Sequence, residues 1–274
     1  MDNKKLFEAA KLVAMGAICG DIIGSSFEFD PTKHLDFPLF ASYSKFTDDT
    51  VCTVALASAL ESGQNFTEEL HRWCRRYPHA GYGGTFRKWI ISDQPFPYNS
   101  WGNGSAMRVS PAGAIATSLE EAMRLAKESA EITHNHPEGI KGAQATAVAI
   151  FYALRGMDKR GIKDVIEMGF GYDLSRDYHE IQRNYRFDVS CQGSVPEAII
   201  AFLNSSDYES AIRHAVALGG DADTQAAIAG GIAAAFYKEI PQGIIAECEK
   251  RLPIDMLQTI DNFTRCLAKT YRII

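Results

Sequence analysis

The stretch "LGGDADTQAAIAGGIAAAFYKEI" at residues 218–240 places a glycine pair, two acids and a threonine ahead of a long run rich in alanine, glycine and isoleucine. This run is apolar on almost every side of a helix, which is typical of a helix buried at the centre of a protein. A second stretch, "TDDTVCTVALASAL" at residues 47–60, has a similar order of acids and hydroxyl groups before an apolar segment. The sequence therefore predicts two buried helices, each with an acid cluster at its N-terminus.

The first part of the chain predicts a third long helix, from about Lys4 to Ile23. Gly16, Gly20 and Gly24 are spaced four residues apart along it. Residues with this spacing lie on one helix face, and glycines there allow another backbone to approach closely. The spacing therefore predicts a close contact between this helix and a second one.

Helical periodicity continues along most of the remaining sequence, and strand-like alternation is scarce. Segments rich in glycine and proline predict loops at 78–84, 92–105 and 135–139. No shift in composition marks a linker between domains. We therefore expect a single all-α domain over residues 1–274.

Composition excludes several classes of function. The chain has a formal net charge of −6 and no basic stripe, so we expect no nucleic-acid partner. It begins without the apolar segment of a signal peptide, and no run of about 18 apolar residues follows, so we expect no membrane partner. The six cysteines show no C-x-x-C pairing, which is typical of free thiols in a reducing compartment. We therefore expect a monomeric cytoplasmic protein.

The two acid clusters predict a site for divalent cations. Hard cations such as Mg²⁺ prefer oxygen ligands, and residues at a helix N-terminus can converge on one point. Ordinary N-capping explains a single cluster equally well. It does not explain two, because one cap needs one side chain and unneutralised carboxylates near a core repel each other. Glu28 is a further acid beside an apolar segment that could complete the site. The cluster residues are Thr47, Asp48, Asp49, Asp221, Asp223 and Thr224.

A carboxylate-bridged di-iron site is an alternative interpretation of the acids. Such sites use two E-x-x-H motifs, and the chain has two, Glu68 with His71 and Glu131 with His134. The context weakens this alternative. An acid is expected at Glu68 in the first turn of a helix, and His134 lies shortly before Pro137, where the helix must be ending.

Six segments occur in the order found in one known family. Together they resemble the ADP-ribosylglycohydrolase family, which includes dinitrogenase reductase-activating glycohydrolase and the animal ADP-ribosyl-acceptor hydrolases. The resemblance covers nearly the whole chain, and motifs in the correct order are far more specific than any one of them. The segments are "GAICGDIIGSSFE" at 16–28, "FTDDT" at 46–50, "WGNGSAMRVSPAG" at 101–113, "ITHNHP" at 132–137, "GSVPEAIIAFL" at 193–203 and "LGGDADT" at 218–224.

The resemblance implies a compact orthogonal helical domain that holds two Mg²⁺ or Mn²⁺ ions between its motif-bearing helices. It implies ligands from both acid clusters, with Glu28 at the rim as an extra ligand or a base. It also implies that a glycine-rich loop cradles ADP-ribose and that His134 lies beside the diphosphate or ribose. The loop residues are Gly102, Asn103, Gly104, Ser105, Ala106, Met107 and Arg108.

The residues of this loop agree with that role, although each has a simpler interpretation. Its glycines expose backbone N–H groups to an anion, and Arg108 offers a charge, but a tight turn with a surface arginine explains the same pattern. His134 alone is equally typical of a capping or core histidine. Tyr98 and Trp101 lie close to the loop in sequence and are candidates for stacking an adenine or for the core, whereas Phe86 and Trp89 fit the core better. The binding role of the loop therefore depends on the resemblance.

The activity implied is hydrolysis of the glycosidic bond between ADP-ribose and an acceptor, most simply protein arginine. The partner would be an ADP-ribosylated protein or a small ADP-ribose conjugate, with serine-linked ADP-ribose and O-acetyl-ADP-ribose as alternative substrates. Glu28, Asp49 and Asp223 are the candidates for catalytic carboxylates. Two other classes of function stay open: the di-iron oxidoreductase, and a binding protein that uses the same fold without catalysis.

Overall fold

Helices form all of the regular secondary structure in the computed structural model, which describes residues 2–273; one isolated bridge joins Gly102 and Ser190. The prediction of an all-α fold is therefore confirmed. Within the described residues there are fifteen helices: α1 (Asn3–Gly24), α2 (Asp48–Ser62), α3 (Phe66–Arg76), α4 (Gly84–Ile91), α5 (Gly104–Met107), α6 (Ser110–Ile115), α7 (Leu119–Glu131), α8 (Pro137–Leu154), α9 (Lys159–Phe170), α10 (Tyr178–Asn184), α11 (Cys191–Leu203), α12 (Tyr208–Val216), α13 (Ala222–Tyr237), α14 (Gln242–Glu249) and α15 (Ile254–Thr270).

The predicted close contact joins α1 and α13, which run antiparallel along the centre of the molecule. A methyl group added to Gly20 would lie 2.1 Å from the carbonyl oxygen of Ala226, and one added to Gly24 would lie 2.4 Å from that of Ala222. Gly16 faces Gly230 further along the same contact. The antiparallel direction brings the C-terminal end of α1 to the N-terminal end of α13.

The N-terminus of α2 lies beside these two helix ends. Thr47 is its N-cap and accepts a hydrogen bond from the backbone N–H of Asp49 (3.3 Å). The backbone N–H groups of Thr47 and Thr50 donate to Asp21 near the end of α1, at 2.9 and 3.1 Å. Three helix ends therefore converge, and two of them carry the acid clusters that the sequence predicts.

All three predicted loops are partly helical, since the segment 78–84 ends at Gly84, the first residue of α4. The segment 92–105 ends in the short helix α5, which begins at Gly104, and the segment 135–139 contains the start of α8 at Pro137. Proline is well accommodated in the first turn of a helix, because its missing N–H would have no partner there. Pro137 therefore begins α8 within a segment that was expected to be a loop.

The side chains between the helices are mostly small and apolar, and one cluster of buried residues extends through most of the domain. All six cysteines are free thiols, as predicted, and five of them are buried. Between residues 2 and 273, no helix is both long and apolar enough to cross a membrane.

We expect Gly20→Ala to destabilise the protein by about 3 kcal/mol or more, because the added methyl group would overlap a backbone oxygen that cannot move without separating α1 from α13. Urea unfolding measures the change. Gly169→Ala in α9 is the matched control: nothing lies within 4 Å of its added methyl group, and we expect a gain of about 0.5–1 kcal/mol. Equal stability of the Gly20 variant and the wild type would contradict the close contact.

Candidate active site

Five carboxylates gather where the three helix ends meet. They form two groups of three, and within each group one oxygen from each residue lies within 4.8 Å of the others. The first group is Asp21, Asp49 and Asp223, and the second is Glu28, Asp221 and Asp223. Glu28 is half-buried, while the four aspartates are buried. Asp223 belongs to both groups, so it lies between two adjacent positions for a cation.

The two acid clusters of the sequence also touch each other directly. The hydroxyl of Thr224, at the start of α13, donates to Asp49 Oδ2 at the start of α2 (3.3 Å). The hydroxyl of Thr47 points to the same oxygen from 3.5 Å. The hydroxyl oxygens therefore lie among the carboxylates, where they can serve as further ligands.

Asp21 is a site residue that sequence reasoning missed. Its carboxylate is fully buried and accepts hydrogen bonds from both the N–H and the hydroxyl of Thr47 (2.9 and 2.7 Å), and from the same two groups of Thr50. The available signal was a single acid in the apolar second half of α1, directly after Gly20. These bonds fix the orientation of the carboxylate toward Asp49 and Asp223.

The acids raise one another's pKa. Burial, and then the charge of Asp223, raises the pKa of Asp21 and of Glu28 to about 7. The same two causes raise the pKa of Asp49 well above its usual range. None of the ion pairs within residues 2–273 includes any of these five carboxylates. In the described part of the chain, no lysine or arginine therefore neutralises them by direct contact.

This arrangement fits divalent cations bound by oxygen. Asp49 Oδ1 is buried and has no hydrogen-bond partner, which is a costly state for a carboxylate oxygen unless a cation occupies the adjacent space. The donors are carboxylates and hydroxyls without sulfur or imidazole, and such sets suit Mg²⁺ and Mn²⁺. The residues present therefore fit two ions of this kind.

A cleft of about 620 Å³ opens above the acids. This size falls in the usual range for a site that binds a small organic molecule or a cofactor. Its walls include the loop that leads into α5, the turn before α8 that contains His134, the segment 81–86 before and within α4, and the segment 187–189 before α11. Trp101 is half-exposed at the rim.

The glycine-rich loop connects the cleft to the acids. Asn103 Nδ2 donates to Asp221 Oδ2 (2.7 Å) and to Ser194 Oγ (3.1 Å). Gly102 and Gly104 lie against the imidazole of His134, and a methyl group on Gly104 would come within 3.1 Å of its Nε2. Side chains at these two positions would push the histidine away from the loop, so the glycines also serve packing.

Arg108 is not the surface arginine of the simpler interpretation. It is 1% exposed, and its Nη2 donates to the carbonyl of Ser129 and to the hydroxyl of Thr133, both at 2.8 Å. That hydroxyl is in turn 2.7 Å from Nδ1 of His134. Burial, with the nearby charge of Arg108, holds the pKa of His134 well below its usual range. The arginine therefore supports a neutral histidine at the wall of the cleft.

Comparison with known proteins identifies the family. The family model of the ADP-ribosylglycohydrolases matches residues 2–271. The chain belongs to the ADP-ribosylglycohydrolase family. Mouse ADP-ribosylhydrolase ARH3 is 27% identical, over 88% of this chain and 88% of the relative. The ADP-ribosylarginine hydrolase Tri1 of Pseudomonas putida is 26% identical over 85% of this chain and 72% of the relative.

Two further comparisons extend over almost the full length. The ADP-ribosyl-[dinitrogen reductase] glycohydrolase of Rhodospirillum rubrum is 25% identical, over 95% of this chain and 97% of the relative. A solved structure described as an ADP-ribosylglycohydrolase-related protein complex has a TM-score of 0.68 and 22% identity, covering 98% of this chain and 99% of that one. The ADP-ribosylglycohydrolase fold expected from the sequence motifs is therefore confirmed.

Not every residue implied by the family resemblance lies at the site. Asp48 lines the cleft but is outside both carboxylate groups, and its Oδ1 faces Gly81 instead. Ser105 and Ala106 are buried and do not line the cleft; the Ser105 hydroxyl donates to the carbonyl of Gly139 (2.6 Å). The residues of the resemblance that do line it are Glu28, Asp48, Asp49, Gly102, Asn103, Gly104, Met107, Arg108, His134, Asp221, Asp223 and Thr224.

The segment "GYGGTF" at 81–86 is a second feature that sequence reasoning missed. Every residue of it except Tyr82 lines the cleft opposite the glycine-rich loop. Its glycine content was the available signal, but it indicated only a loop. Phe86 and Trp89 are buried, which confirms their prediction as core residues, although Phe86 also reaches the cleft wall.

Among the residues that the structure describes, 2–273, there is no site for the di-iron alternative. His71 packs against Trp89 and contacts its carbonyl oxygen at 3.2 Å, and Glu131 pairs with Lys127 at 2.5 Å. Across residues 2–273, both groups of metal-binding side chains consist of carboxylates alone. The two E-x-x-H motifs therefore have separate structural surroundings.

We expect Asp21→Asn to lower the affinity for Mn²⁺ at least about tenfold without reducing stability in the absence of metal. The amide keeps an acceptor for Thr47 and Thr50 but removes one buried charge from the carboxylate group. The measurement is the rise in melting temperature on adding Mn²⁺.

Asp207→Asn is the matched control for this variant. Asp207 caps α12 through Ser210, and asparagine caps about as well as aspartate, so the metal response should equal that of the wild type. A wild-type metal response in Asp21→Asn would exclude Asp21 from the ion site.

Proposed function

We propose that this protein uses two Mg²⁺ or Mn²⁺ ions to hydrolyse the glycosidic bond between ADP-ribose and an acceptor, and that the acceptor is protein arginine. Membership in the ADP-ribosylglycohydrolase family supports the hydrolase activity. The main support for the two ions is the pair of carboxylate groups that share Asp223 beneath a cleft.

The ions would be held by the group of Asp21, Asp49 and Asp223 and by the group of Glu28, Asp221 and Asp223. When bound, they would supply Lewis acidity and a template for ribose hydroxyls and water. Asn103 orients Asp221 through its 2.7 Å hydrogen bond, and Thr47 and Thr50 orient Asp21. These contacts give the carboxylates fixed positions before a substrate arrives.

Exposure distinguishes the three candidate catalytic carboxylates. Asp49 and Asp223 are buried, and each accepts a hydrogen bond from Thr224. Glu28 is half-buried at the cleft, so it can exchange a proton with a water molecule or with the leaving atom. We assign proton transfer to Glu28, and stabilisation of the oxocarbenium-like transition state to the two aspartates.

The rest of the substrate would occupy the cleft between the loop of Gly102–Met107 and the segment 81–86. Backbone N–H groups at glycines can approach a diphosphate closely. The neutral imidazole of His134 adjoins the loop, and Trp101 at the rim offers an aromatic face for the adenine. An ADP-ribose chain would therefore extend from the acids to the rim.

Arginine is the proposed acceptor because acidic side chains line the cleft near the candidate ion site. Glu28 and Asp48 both line it, and carboxylates bind a guanidinium through paired hydrogen bonds. One relative acts, by its name, on ADP-ribosylarginine, whereas the names of the ARH3 relatives leave the linkage open. Serine-linked and O-acetyl ADP-ribose are therefore the substrates to compare.

We expect the protein to release ADP-ribose from an arginine-linked peptide faster than from serine-linked or O-acetyl substrates, and only with Mg²⁺ or Mn²⁺. Release is measured by chromatography after chelation with EDTA, dialysis and return of each metal. EDTA should abolish release, and the metal should restore it. Full activity after exhaustive chelation would refute the role of the ions, and faster release from another linkage would refute arginine as the acceptor.

A further inference from the structure

The two glycines before Asp221 are held between two side chains from distant parts of the sequence. Gly219 has a φ of +67°, and a methyl group added to it would lie 2.8 Å from Cε of Lys33. A methyl group added to Gly220 would lie 2.2 Å from Cε1 of Tyr185. Only glycine fits at both positions, so the backbone leading to Asp221 is enclosed by the lysine stem and the tyrosine ring.

The ammonium group of Lys33 joins three segments of the chain. It donates to the carbonyl oxygens of Tyr185 (3.0 Å) and Leu218. Leu218 lies three residues before Asp221, and Lys33 itself lies in the connection between α1 and α2 that carries Glu28. The backbone of Lys33 is also anchored, because its carbonyl accepts from Gln182 Nε2 (2.8 Å).

These contacts concern the segments that carry Glu28 and Asp221. Asp223 belongs to both carboxylate groups, but it lies within α13, which the close contact with α1 holds in place. Glu28 and Asp221 belong to the second group and come from segments that Lys33 ties together. In the first group, Asp21 is fixed by hydrogen bonds from Thr47 and Thr50 that do not involve Lys33. A glycine pair is flexible once its surroundings are lost, so removing the lysine contacts would free Asp221 but leave the first group in place.

We propose that Lys33 is a positioning residue for the ion at Glu28, Asp221 and Asp223, and that it does not affect the ion at Asp21, Asp49 and Asp223. An ammonium cannot bind a metal cation, so Lys33 acts by fixing the backbone on either side of the ligands. This inference rests on the two ions of the proposed function.

The test is a titration of the full-length protein with Mn²⁺, in which electron paramagnetic resonance measures the free ion. The variant Lys33→Met keeps most of the side-chain stem over Gly219 and removes the hydrogen-bond donors. In this variant, one of the two Mn²⁺-binding steps should weaken at least about tenfold, and the other should not change. Lys33→Arg retains a charged donor and should recover most of the affinity. Lys33→Gln, neutral and shorter, is the second variant if Lys33→Met does not fold.

Lys159 provides a matched control. Its ammonium also donates to two backbone carbonyls, those of Leu203 (3.1 Å) and Ser205, and it is half-buried like Lys33. It does not line the cleft. Lys159→Met should lower the melting temperature without changing either Mn²⁺ affinity.

Two outcomes would overturn the role of Lys33. The first is that the neutral variants of Lys33 keep both Mn²⁺ affinities and lose melting temperature as Lys159→Met does. This result would show that Lys33 makes a structural contact only. Equal weakening of both steps would show a general disturbance of the site. A wild-type protein that binds fewer than two ions would instead refute the two-ion site of the proposed function, and the role of Lys33 with it.

Discussion

The close contact between α1 and α13 is the constraint on which the rest of the structure depends. Because glycines on α1 let the two backbones touch, the end of α1 lies against the start of α13, and Asp21 comes next to Asp223. Larger residues at those positions would separate the helices and the carboxylates. The contact explains why small residues, rather than bulky apolar ones, fill the centre of this domain.

Placing these acids together opposes folding unless something neutralises them. The N-termini of α2 and α13 contribute partial positive charge, and the N–H groups at the start of α2 bind Asp21 directly. These contacts do not supply a full positive charge, and the pKa values of the carboxylates stay raised. Two divalent cations would remove the repulsion, so the same feature that weakens the metal-free protein gives it a binding site.

The sequence predicted the helices because the signals for a helix are local. It predicted that the two acid clusters meet because helix capping does not explain both of them. An apolar run, a four-residue glycine spacing and acids at a helix start can be recognised without knowing what lies opposite. Asp21 could not be assigned this way, since its role comes from Thr47 and Thr50 on another helix. The burial of Arg108 could not be predicted for the same reason, because the carbonyl of Ser129 that it binds lies on α7. The family motifs did not extend to Lys33 or Tyr185, which nevertheless enclose the glycine pair.

The most direct test of a two-ion site is a crystal structure of the protein with Mn²⁺, with data collected at a wavelength where manganese scatters anomalously. We expect two anomalous peaks beneath the cleft, one beside Asp21 and Asp49, the other beside Glu28 and Asp221, with Asp223 in contact with both. A single peak that leaves Asp223 out, or no peak among these carboxylates at saturating Mn²⁺, would contradict this expectation.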